Sequence, residues 1–114
     1  MTSVNEFERR GAVRVPVSLA IEVRDEHGFS FHSTRDLSSS GCFFDRAIPH
    51  RVGARVELSF TLPGDTRAIR CWGEVVNVPD AKSYGMGIRF LELGPADAAR
   101  IDTFAKALLE GETR

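Results

Sequence analysis

Apolar and polar residues alternate along most of the chain, beginning with Val15, Val17, Leu19, Ile21 and Val23, separated by Pro16, Ser18, Ala20 and Glu22. A period of two is that of a strand with one buried face. Pro16 has no amide hydrogen to give to a ladder, so it belongs near the start or on the edge of that strand. Asp25, Glu26, His27 and Gly28 have turn chemistry, and Phe29 and Phe31 resume the alternation, which predicts a hairpin and a second strand from about Phe29 toward Asp36. Ser38, Ser39, Ser40 and Gly41 interrupt it with residues suited to a turn or bulge, and Cys42, Phe43 and Phe44 then form a short apolar strand.

Pro49 and Gly53 bracket a connection, after which Val56, Leu58, Phe60 and Leu62 alternate up to a turn at Pro63, Gly64 and Asp65. The return strand runs from about Arg67 to Val78, long enough that a bend or bulge is expected near Trp72 and Gly73. Pro79 and Asp80 begin another turn, and Tyr84, Met86, Ile88 and Phe90 alternate again, with Gly85 and Gly87 on the opposite face, where another backbone, a ring or a ligand can come close. The period then changes: Ile101, Phe104, Ala105 and Leu108 recur at helical spacing, Pro95 suits a first helical position and Gly111 a stop. Short antiparallel strands followed by one helix predict a mainly β fold, a six-stranded antiparallel barrel with a C-terminal α-helix closing an end or packing on its side. Residues 1–14, polar with scattered apolar positions, read as a flexible arm, and residues 15–114 as the barrel and its helix.

A chain of 114 residues has the size of one domain with one core, and an apolar fraction of 42% with 27% charged residues is ordinary for a globular protein. Fifteen basic against sixteen acidic residues leave a formal charge of -1, so no basic surplus draws in nucleic acid or an anionic membrane, and any anion must be held locally. MTSVNEFERR lacks a signal peptide's apolar core, and no apolar run approaches the ~20 residues that span a bilayer, so a soluble cytoplasmic protein is expected, monomeric or weakly dimeric. Cys42 and Cys71 have no C-x-x-C partner and read as reduced, half-buried core residues, without metal or disulfide. His27, His32 and His50 read as plain turn or surface residues, and Trp72 and the eight phenylalanines mainly as core. There is no G-x-S-x-G elbow and no P-loop, so no enzyme and no catalytic residue is expected.

Two clusters carry chemistry. Arg9, Arg10 and Arg14 place three guanidinium groups just ahead of the first strand. Guanidinium binds phosphate or a guanine edge in bidentate fashion and also stacks on purine faces. The plainer reading is a solvated basic arm paired with Glu6 and Glu8. The second cluster is D-x-S-x-x-G at Asp36, Ser38 and Gly41. Its carboxylate can accept two N–H groups from guanine or hold an arginine, its hydroxyl can bond phosphate or backbone, and its glycine allows close approach. The plainer reading here is an Asx or Ser turn that satisfies only local backbone.

Taken together, R-x-x-x-R at Arg10 to Arg14, D-x-S-x-x-G at Asp36 to Gly41 and the last-strand run from Tyr84 to Phe90 make the chain resemble the PilZ domain over nearly its whole length. That resemblance implies a small six-stranded barrel with a C-terminal helix. It also implies a receptor for cyclic di-GMP, held as a ligand between the arginine arm and the strand carrying Asp36, Ser38 and Gly41, with no other cofactor. Arg9, just ahead of the motif, resembles the basic residue of members that hold two stacked ligand molecules. The lack of any output domain favours a downstream protein partner. The alternative is a PilZ-fold adaptor that signals by docking to another protein without the dinucleotide.

Overall fold

The computed structural model describes residues 13–46, 50–78 and 85–112. Among the described residues, seven strands and one helix follow in order: β1 (Val15–Pro16), β2 (Ala20–Asp25), β3 (Gly28–Ser38), β4 (Gly41–Phe44), β5 (Arg55–Phe60), β6 (Ile69–Asn77), β7 (Met86–Leu91) and α1 (Pro95–Glu112). All pairings are antiparallel. The sheet runs β1-β3-β2-β5-β6-β7-β4 and closes through a further β3–β4 pairing. Because β1 continues the line of β2 along one edge of β3, the barrel has six lanes, as the alternation predicts. Inside lie Ile21, Val23, Leu37, Phe44, Val56, Leu58, Ile69, Val75, Met86 and Ile88, all nearly inaccessible to solvent.

The expected single strand from Val15 to Val23 is broken at residues 17–19. Pro16 pairs with Asp36 and Ala20 with Ser33, so the first strand carries one residue more than β3 between those rungs. The buried Thr34 bridges the gap: its hydroxyl donates to the Val17 carbonyl at 2.6 Å and accepts the Leu19 amide at 3.0 Å. The bend expected at Trp72 and Gly73 is absent, and the register of β6 against β7 shifts instead between Val75 and Asn77. Gly73 faces inward, where a Cβ would stand 2.6 Å from Ile88 Cγ2 and 2.8 Å from Leu58 Cδ1, so its missing side chain leaves room for the core.

Strand parity also corrects the assignment of aromatics to the core. Ile69, Cys71, Gly73 and Val75 point inward, which turns Trp72 outward to 45% exposure. Phe29 and Phe31 stand outside the β2–β3 hairpin at 59% and 62% exposure, their rings edge to face. Phe44, Phe60 and Phe90 do enter the core. Cys42 and Cys71 are unpaired and buried more deeply than the half-burial expected of them; desolvation raises both thiols, Cys71 to about 11.

Helix α1 begins at Pro95, with the Ala98 amide bonded to the Gly94 carbonyl, and it buries Ile101 and Ala105 against the barrel. Arg100 clamps it to the turn after β5, donating to Asp65, Asp97 and the Arg67 carbonyl. The helix lies against β1 and β3. No described helix is long and apolar enough to cross a membrane.

Candidate functional site

The D-x-S-x-x-G run is the end of β3, a two-residue turn and the start of β4, with Ser38 paired to Gly41 across Ser39 and Ser40. The buried Ser38 hydroxyl accepts the Ser40 amide at 3.1 Å and lies 2.8 Å from the Ser40 hydroxyl, which holds the turn closed. Gly41 is pressed against β7: a Cβ there would stand 2.1 Å from the Ile88 carbonyl oxygen. Both residues therefore shape the backbone of the hairpin from within.

Asp36 has a different position. In the β3–β4 ladder Thr34 faces Phe44 and Asp36 faces Phe43, so Arg35 is an extra residue in β3. Thr34 and Leu37 are buried, and the two residues between them, Arg35 and Asp36, both turn outward. Arg14, just before β1, pairs with Asp36 Oδ1. Arg35 Nε approaches Oδ2 of the same carboxylate at 3.4 Å, and its guanidinium carbon stands 4.1 Å above the centre of the Phe43 ring. One carboxylate thus orients two guanidinium groups on the barrel wall. Arg9 and Arg10, with the rest of the arm up to residue 12, lie outside the described residues.

Beside this cluster a groove of about 680 Å³ follows the break between β1 and β2, with Arg35 and Arg46 among its walls and Phe31 and His32 along β3. Arg35 escapes the sequence reading because the inward positions of this part of β3, His32 and Thr34, are polar, so alternation cannot reveal the bulge that turns it outward. His32 and His50 are half-buried, unlike the surface residues expected, whereas His27 is exposed in its turn. Burial lowers the His32 pKa, reinforced by the charge of His50, and His32 tilts over Phe44. His50 Nε2 lies 2.8 Å from Asp25 Oδ2, a bond that holds the Asp25 carboxyl below its usual range. No group of three His, Cys, Asp or Glu residues able to hold a metal occurs among the described residues.

The sequence matches the PilZ domain over residues 8–107. No curated protein matches it. Among solved structures, the chain is similar to the Bacillus subtilis inhibitor of motility MotI/DgrA, with a TM-score of 0.80 and 21% identity over 93% of this chain and 54% of that one. It therefore spans about half the length of that protein. The PilZ domain of YcgR from Escherichia coli, solved with c-di-GMP, aligns with a TM-score of 0.65 and 15% identity over 89% of this chain and 90% of the other. The PilZ domain of CeSA from a cellulose-synthesizing bacterium aligns with a TM-score of 0.56 and 15% identity over 89% and 98% of the two chains.

Proposed function

The chain belongs to the PilZ domain family, and from that premise we propose that it is a receptor for cyclic di-GMP that signals to a protein partner. The observation that carries this reading is the meeting of the two halves of the motif, Arg14 and Asp36, 22 residues apart in sequence, on an outward-facing bulge. Asp36 holds the Arg14 guanidinium in place, which lowers the entropic cost of presenting its remaining donors to a phosphate or a guanine edge. Arg9 and Arg10 approach the ligand from the arm, and Ser38 and Gly41 contribute by fixing the backbone of the strand-side wall. Arg14 and Asp36 sit at β1 and β3, the strands that touch α1, which gives ligand binding a route to a surface a partner can read.

The test is calorimetric titration of the full chain with cyclic di-GMP, alone and as Arg14→Ala and Asp36→Ala. Saturable binding that each substitution weakens by about tenfold or more, with the melting temperature held within a few degrees, is the expected result. Absence of binding by the wild-type chain overturns the reading. It would favour the adaptor alternative, which finds support in the exposed Phe29 and Phe31 pair with Arg24 stacked on Phe29 at 5.2 Å.

A further inference from the structure

The geometry points to Arg35 as a third guanidinium of the ligand site, stacking on a purine of the bound dinucleotide from a position that neither half of the motif contains. This rests on the dinucleotide reading above.

Three features of its surroundings carry the assignment. The bulge turns Arg35 to the same side of the wall as Asp36, and its side chain is 58% exposed although its Nε faces the Asp36 carboxylate and its guanidinium carbon lies over Phe43. The guanidinium carbon lies over the Phe43 ring, 4.1 Å from its centre, and that ring is itself seated over Gly87, where a Cβ would stand 3.5 Å from Phe43 Cδ2. The inner face of the guanidinium is thus fixed against a supported aromatic, and its outer face is open to a second flat π-system. Finally, Nε points at Asp36 Oδ2 at 3.4 Å, longer than a charge-assisted bond of about 2.7–2.9 Å, and the terminal amines have no hydrogen-bond partner among the described residues. The head group can therefore take up a phosphate oxygen or a purine without breaking a strong internal bond.

A ring stacked on the outer face would complete a Phe43, Arg35 and purine sandwich beside Arg14. Guanidinium is suited to this because it is flat, charged and weakly hydrated; an ammonium supplies the charge and no stacking face. A merely structural Arg35 would serve only to cover Phe43, a role that any long side chain fills.

Calorimetry with cyclic di-GMP on the full chain separates the two, using Arg35→Gln, Arg35→Lys and Arg35→Met. All three are expected to fold, since Arg35 lies outside the core. Ligand stacking predicts that Arg35→Gln and Arg35→Met bind about tenfold more weakly, and that Arg35→Lys recovers only part of the loss. It also predicts that the Phe43 ring resonances shift on titration of the wild-type chain and shift less in Arg35→Met. Wild-type affinity in Arg35→Gln or Arg35→Met overturns the assignment and leaves the receptor reading standing. A wild-type chain that fails to bind removes both.

Discussion

Among single residues, Gly41 and Asp36 show how a motif divides its labour. Gly41 has no alternative because β4 and β7 approach until the Ile88 carbonyl occupies the place of a side chain. Gly41→Ala is accordingly expected to destabilise the barrel on the order of 3 kcal/mol, since backbone must move to admit a methyl group. Thermal or urea unfolding would show this with no ligand present, and unchanged stability would place the role of Gly41 at the ligand instead. Asp36 is the reverse case: its partners Arg14 and Arg35 are about half-exposed, so its ion pairs with them contribute at most about 1 kcal/mol to folding. Its worth lies in aiming two arginines. The residue pattern gave both positions, but it could not tell which acts through the backbone and which through its side chain.

At the scale of elements, the site is produced by two irregularities that sit side by side. The first strand carries an extra residue at 17–19, and β3 carries one at Arg35. Thr34 lies between them and bonds to both Val17 and Leu19. Removing its hydroxyl in Thr34→Val leaves a buried carbonyl and amide without their partner, at about 1 to 3 kcal/mol for each unsatisfied group. Hydrogen exchange is the direct measurement: the Leu19 amide should lose protection while amides in β5 and β6 keep theirs. Uniform change across the barrel would mean that Thr34 supports the whole core rather than this junction. Alternation made β2, β5 and β7 legible, because their inward positions are strongly apolar. On β3 it gave the strand but not its faces, since Ser30, His32 and Thr34 occupy the inward parity and Phe29 and Phe31 the outward one, and it missed the outward Trp72.

For the whole molecule, the helix and the proposed ligand wall share β1 and β3, so on the receptor reading the attachment of α1 bears on any signal that leaves the site. Arg100 ties three points together: Asp65 and the Arg67 carbonyl in the turn after β5, and Asp97 in the first turn of the helix. The bonds to Asp65 and Asp97 raise the Arg100 pKa above its usual value, so its guanidinium remains charged across the accessible pH range. Arg100→Ala is expected to lower the melting temperature by a few degrees and to increase amide exchange along α1, with the barrel retained because Ile101 and Ala105 still bury their side chains. Loss of the barrel's own protection in this variant would make the helix an integral part of the core.

The sequence by itself determined the barrel, the terminal helix and the membership that the arginine and D-x-S-x-x-G motifs announce. Periodicity and turn chemistry are local properties, and a closed small barrel follows from them once each strand has one apolar face. Only the tertiary structure decided that Arg14 meets Asp36, that Ser38 and Gly41 face inward, and that Arg35 joins them on the outside. Those facts depend on a one-residue shift of register between neighbouring strands, and such a shift is set by which rungs pair across the sheet.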